Sequence, residues 1–246
     1  MDFSTVKIHC SSLGCLFIEP RDKKAKEAGE LSETAKKALI KVYIQEYWGR
    51  RRDLTTKEIK KGNFQEPESI KLISYLDDKH YEKNDEVREN DWIIGTPDVV
   101  DDDIHDVKSS YDAESFMPML IEPLEKLYEY QMQGYMVLFN KQKAHVRRCL
   151  VSTPEEIVNQ EKQWLFNRMQ VATEENPEYK IAAANLEYNL IFDDIPPEER
   201  CITHTVTRNE EIIAQIPSKV QKAREFLQFL HEKHLSLNKK LTNLAI

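Results

Sequence analysis

The sequence predicts a single α/β (α+β) domain, with helices flanking a small central mixed β-sheet. Three observations lead there. The 246 residues are 40% hydrophobic and 32% charged with only 6 glycines and 10 prolines, a composition with material for one sizeable core and unlike that of a disordered chain. Apolar residues recur at helical spacing on both sides of a central stretch, and inside that stretch, from Asp91, the period shortens to that of strands. At about 150 residues per domain, the length suits one elaborated domain. It spans 1–246, with a core near 56–151, an N-terminal helical region 1–55 and a C-terminal helical elaboration 152–246.

In chain order, Lys7 to Leu16 reads as a short extended or turn segment holding Cys10-Ser11-Ser12-Leu13-Gly14, and a charged loop follows. Ser32 stands in an N-cap position, and Leu31, Ala35, Leu39, Val42, Tyr43 and Tyr47 keep helical spacing up to Trp48 and Gly49. Arg50 to Arg52 form a basic knot. A second helix runs from about Thr56 to Leu76, interrupted by Gly62 and Pro67. Trp92 to Val100 reads as a strand, Asp101-Asp102-Asp103 as a turn and Ile104 to Ser109 as a second strand. Leu124 to Phe139 is helical, and Ala144 to Val151 is a strand carrying Arg147 and Arg148. Pro154 opens a helix to about Val171, with Glu155 and Glu156 in its first turn. Asn176 to Glu199 reads as irregular, Arg200 to Thr207 as a strand, and Asn209 to about Leu237 as a final amphipathic helix.

Several classes are excluded. No apolar run approaches the roughly 18 residues of a membrane span. The first residues lack a charged-then-apolar secretory pattern, and four scattered cysteines are too few for a disulfide scaffold. A soluble, cytoplasmic protein is expected, in a bacterium or a phage-infected host. The net charge of −8 argues against a protein that coats nucleic acid, but leaves room for an enzyme with a local basic track. There is no phosphate-binding glycine loop, so ATP-driven movement is not expected.

The informative stretch is Gly95 to Lys108. On a strand, Ile104, Asp106 and Lys108 share one face, while His105 and Val107 take the other, expected to be largely apolar. If the two strands pair as a hairpin, Asp98 lies close to Asp106. Two carboxylates held together repel, and a divalent cation between them removes the conflict. An acidic residue two before a lysine also occurs at Asp22, Glu58, Asp77 and Glu178, so that pattern by itself decides nothing. The preceding Pro97-Asp98 is what sets Asp106 and Lys108 apart; a solvated hairpin is the bland alternative. Glu66, in Gly62-Asn63-Phe64-Gln65-Glu66, is the candidate third acid, ranked above Glu68. Gln131 and Tyr135, four apart, share one helix face, against the alternative of a core tyrosine and a solvated glutamine. For Arg147, Arg148 and the Arg50 to Arg52 knot, candidates for a local basic track, a solvated surface is the expected state.

Gly62-x-x-x-Glu66, Gly95-Thr96-Pro97-Asp98, Asp106-Val107-Lys108 and Gln131-x-x-x-Tyr135 together resemble the motif series of the PD-(D/E)XK nuclease superfamily, most closely its YqaJ-like viral recombinase and lambda-type phage exonuclease branch. The resemblance runs from about Cys10 to Tyr135. Its one variant is Asp106, where many members have Glu; both ligate magnesium. It implies a restriction-endonuclease-like core and Mg²⁺, with Mn²⁺ able to substitute, held by Glu66, Asp98, Asp106 and the carbonyl of Val107. The metal would activate a water for in-line attack on phosphorus, with Lys108 positioning it and Gln131 and Tyr135 assisting. It also implies that Ser11 and Ser12 bind a terminal substrate phosphate. The expected activity is a 5′-to-3′ exonuclease resecting double-stranded DNA ends in recombination or replication, working as a homotrimer beside a single-strand annealing protein. An endonuclease, a nuclease subunit of another DNA-processing system and an inactive DNA-binding or scaffold protein on the same fold stay open. Two early and two late cysteines do not suit an iron–sulfur cluster, and His231 and His234 are expected to face solvent.

Overall fold

The computed structural model describes residues 1–50 and 57–242. Strand β1 (Ile8–His9) leads directly into helix α1 (Cys10–Phe17), so the expected turn around Ser11 and Ser12 is the first turn of a helix. Its Leu13, Leu16 and Phe17 are buried together, a helical spacing too short to stand out in the sequence. Helix α2 (Lys23–Glu27) and helix α3 (Glu33–Trp48) follow. Ser32 caps α3, accepting a hydrogen bond from the Ala35 N–H at 3.2 Å, and Gly49 closes it at φ +62°. Arg51 and Arg52 of the basic knot lie outside the described residues.

Helix α4 (Lys57–Leu76) runs through both expected interruptions. Pro67 removes one backbone donor, but the turn before it is tied down from outside: Gln65 Nε2 donates to the carbonyl of Val151 at 2.8 Å. Strands β2 (Arg88–Glu89) and β3 (Ile93–Gly95) belong with β1 to a three-stranded sheet in the order β1-β3-β2. The chain then leaves it. Strands β4 (Val99–Val100) and β5 (Ile104–Ser109) form a hairpin at the edge of a second sheet, completed by β6 (Lys143–Cys149) and β7 (Cys201–Thr207) in the order β4-β5-β6-β7. The expected single strand Trp92 to Val100 is therefore two strands in two sheets, with Thr96-Pro97-Asp98 as the passage between them. The β5–β6 pair is parallel and its neighbours antiparallel.

Helix α5 (Ala113–Phe116) and a 3₁₀ turn lead to helix α6 (Lys126–Phe139), then come α7 (Glu155–Met169) and α8 (Pro177–Tyr188). The last corrects the expectation of irregular chain. Asn176 caps it, Pro177 occupies its first turn, and Tyr179 and Ala183 are buried one turn apart. The final helix is broken: α9 (Glu210–Ile213) ends at Ala214, and α10 (Ile216–Thr242) starts with Pro217 in its first turn. The mixed α/β fold class is borne out, with two sheets in place of one. No helix among the described residues is long and apolar enough to cross a membrane.

Two cores flank β5. On one side Ile104, Ala144 and Val146 meet Met132, Met136 and Phe139 of α6 and Leu13 of α1. On the other, Val107 and Cys149 meet Ile70 and Ile73 of α4. Helix α10 closes the first core: Arg224 Nε donates to the carbonyl of Val6 at 2.9 Å, and its guanidinium lies 4.8 Å from the centre of the Trp92 ring. His231 is buried, correcting the expectation of a solvent-facing residue; Tyr43 of α3 stands 3.1 Å from its Nδ1 and 2.9 Å from that of His234.

Candidate active site

The hairpin register sets the centre of the site. Val99 pairs with His105 and Val100 with Ile104, which continues to Asp98 across from Asp106. Asp98 Oδ2 accepts the Val107 N–H at 2.7 Å, and this bond fixes the carboxylate at the mouth of the hairpin. Asp106 is 1% exposed. Its Oδ1 accepts from Gln131 Nε2 at 3.1 Å, while its buried Oδ2 has the Lys108 ammonium at 2.6 Å but no well-directed hydrogen bond. Gln131 Nε2 also reaches the Tyr135 hydroxyl at 3.1 Å. The glutamine and the tyrosine therefore sit together against the carboxylate, and both are buried.

The electrostatics follow from that packing. Burial, and then the charge of Asp106, push the Asp98 carboxyl up to about 7; Lys108 and the Val107 N–H oppose this, and Glu66 adds to it. Lys108 is held above its ordinary range: burial alone would lower it, but Asp106 and Asp98 outweigh burial. Burial and then Asp106 raise Tyr135, which stays a neutral phenol.

Glycines make the close approach possible. A Cβ on Gly95 would lie 2.7 Å from Tyr135 Cε1 and 2.8 Å from Cys10 Sγ, and one on Gly134 would lie 2.8 Å from the same sulfur. The glycine of Gly95-Thr96-Pro97-Asp98 thus makes room for the tyrosine ring rather than for a turn.

Other expected residues stand further out. Glu66 reaches the edge of the site from α4, but its Oε1 is 2.9 Å from Lys83 Nζ. Glu68 is exposed and pairs with Lys71 at 2.6 Å, away from the carboxylates. Ser11 and Ser12 lie in the first turn of α1, Ser11 exposed and Ser12 half-buried. The expected pair of solvated arginines is divided by the sheet. Arg148 lies directly across from Lys108 on the carboxylate face and packs 4.8 Å from the Tyr128 ring centre. Arg147 takes the opposite face, paired with Asp77 and donating to Thr203 at 2.9 Å. Both are largely buried because their strand is central to the sheet. That opposite face is also more polar than expected, since His105 lies there against Tyr81.

Tyr128 and Lys83 escaped the sequence reading. Tyr128 is signalled only by lying one turn before Gln131 on the same helix, and Lys83 by nothing in the sequence.

A hard oxygen set fits Mg²⁺: two facing carboxylates and the Val107 carbonyl, which Lys108 Nζ approaches at 3.4 Å. Among the described residues no three histidine, cysteine or acidic side chains form a ready metal-holding group, because Glu66 is turned onto Lys83. Mg²⁺ characteristically takes one or two protein carboxylates and fills its remaining positions with water and phosphate oxygens, a count that the pair meets.

This hairpin, with its paired acids, adjacent lysine and flanking helices, is the arrangement expected from the motif resemblance. No protein-family model matches the chain, and no curated protein does. Solved structures do. A phage-related exonuclease from Haemophilus somnus 129PT is similar over 94% of this chain and 97% of its own, at 28% identity and a TM-score of 0.74. An alkaline exonuclease from Laribacter hongkongensis shares the fold at 13% identity and a TM-score of 0.57, covering 98% of this chain and 96% of its own. Its complex with dAMP matches at 12% identity and a TM-score of 0.58, over 97% and 94%. The motif resemblance to the lambda-type phage exonuclease branch is borne out by these neighbours.

Proposed function

We propose that the chain is a Mg²⁺-dependent deoxyribonuclease of the phage exonuclease type, degrading double-stranded DNA from its ends in the 5′-to-3′ direction during recombination or replication. The observation that carries this reading is the facing pair Asp98 and Asp106, with the Lys108 ammonium 2.6 Å from Asp106. Asp98, Asp106 and the Val107 carbonyl would hold Mg²⁺, with Glu66 joining once released from Lys83. Bound there, the metal would lower the pKa of a coordinated water and offset charge on the scissile phosphate. Lys108 supplies a fixed positive charge beside the attacked phosphorus, and Gln131 keeps Asp106 oriented. Arg148, held across from Lys108, offers a second cation to the phosphodiester track. Ser11 and Ser12 would hold a terminal 5′-phosphate through hydroxyls and first-turn N–H groups. A homotrimer and an annealing partner belong to the same reading, and they rest on resemblance.

The test compares linear duplexes bearing 5′-phosphate or 5′-hydroxyl with a covalently closed circle, with Mg²⁺ or with chelator, for wild type and Ser12→Ala. Linear DNA should be shortened from its 5′ ends only with Mg²⁺, faster when phosphorylated, and the phosphate preference should weaken in Ser12→Ala. Rapid cutting of the circle would replace this reading with an endonuclease.

A further inference from the structure

The remote face of the second sheet carries two sulfurs at one ladder position. Cys149 ends β6 and Cys201 begins β7, and the antiparallel register pairs them directly. The hydrogen bonds fix the kind of pair. Leu150 N–H donates to the Arg200 carbonyl at 2.8 Å, so the next residues along, Cys149 and Cys201, occupy a non-hydrogen-bonded site. Consistently, the Cys149 carbonyl turns the other way and accepts from the Ser110 N–H at 2.8 Å. Non-hydrogen-bonded partners stand about 4.5 Å apart at Cα with their side chains on one face, at the short end of the roughly 4.4–6.8 Å that disulfides span. Both cysteines are free thiols.

We propose that Cys149 and Cys201 are a redox-active dithiol that closes reversibly into a cross-strand disulfide, with hydrogen peroxide as its two-electron oxidant. The two residues play unequal parts. Cys149 is fully buried, whereas Cys201 is partly exposed, and its neighbours Arg147 and Thr203 line an open cleft of about 430 Å³ through which a small oxidant can enter. Cys149, then Arg147 and Thr203, favour the Cys201 thiolate against the opposing effect of burial. That thiolate attacks one peroxide oxygen; an S–O bond forms, the O–O bond breaks, and hydroxide leaves and takes up a proton as water. The Cys149 sulfur then attacks the sulfenic sulfur, the S–S bond forms, the S–O bond breaks, and the second oxygen leaves as water with the Cys149 proton. Two thiols lose two electrons and peroxide becomes two waters. An added dithiol reverses the step by thiol–disulfide exchange.

The experiment treats the full-length protein with stoichiometric peroxide, counts thiols after denaturation and maps the cross-link by peptide mass spectrometry. Wild type should fall from four thiols to two, the linked peptides should contain Cys149 and Cys201, and dithiothreitol should restore all four. Cys201→Ser should keep its three thiols. Cys149→Ser should stop at a Cys201 sulfenic acid that dimedone traps. Four thiols surviving in wild type, or a link that involves Cys10 or Cys15 or joins two chains, would overturn the proposal. The wild-type map decides it even if a variant fails to fold.

Discussion

Asp98 is asked to carry charge in a place that resists it. Burial and the facing Asp106 push its carboxyl up to about 7, against an unfolded value of 3.8. A carboxyl whose folded pKa is raised costs stability that is absent below the unfolded value, grows as pH rises and is complete above the folded one. Without metal, Asp98→Asn should therefore melt higher than wild type at pH 8, and the gap should close as pH falls toward 4. Thermal melts at several pH values in chelator read this directly. Mg²⁺ should raise the wild-type melting temperature at pH 8 and leave that of Asp98→Asn little changed, because binding to the folded state alone stabilises it. Under the proposed function the same residues would govern turnover. Asp98→Ala or Lys108→Ala should each lower cleavage by about three orders of magnitude or more while the circular-dichroism spectrum stays native, since parts of one catalytic unit fail together.

At the scale of elements, the contact of α1 with α6 positions Gln131 and Tyr135. Gly134→Ala drives a methyl group to 2.8 Å from Cys10 Sγ and should cost about 1–3 kcal/mol, measured by urea denaturation. Cys10→Ala removes that sulfur, so the double variant should recover part of the loss; strict additivity would place the strain elsewhere. Elements were legible where local chemistry is sufficient. Ser32 and Gly49 mark the ends of α3, and Pro97-Asp98 followed by an acidic turn marks the hairpin. Elements whose signal depends on tertiary partners were not. The anchor that carries α4 past Pro67 comes from Val151, and α8 shows only its cap and a short buried stripe. The site divides along the same line. Asp98, Asp106, Lys108, Gln131 and Tyr135 are set by one hairpin and one helix turn. Lys83 on Glu66 and Arg148 across from Lys108 each require long-range packing or a strand register that no single segment encodes.

Over the whole molecule, Arg224 ties distant parts of the chain together through the carbonyls of Val6 and Asp91 and the Trp92 ring. Arg224→Ala should lose about 2–3 kcal/mol, because a charged hydrogen bond is lost and the Val6 carbonyl is left buried and unpaired. Chemical denaturation should show this as a lower midpoint with an unchanged slope. A broadened, two-step transition would mean instead that the first sheet unfolds separately.

The same contact sets an order of events during synthesis. Val6 leaves the ribosome early, yet its carbonyl waits for a guanidinium encoded 218 residues later. At about 5–20 residues per second, tens of seconds separate the two groups, and for that interval the nascent chain holds the edge beside Ile8 and Ile93 without its final clasp. The carboxylate hairpin emerges midway, before Arg224 exists to clasp Asp91 and Trp92 just ahead of β3. Translation itself therefore delays the closing of the first core until almost all of the described chain has been made.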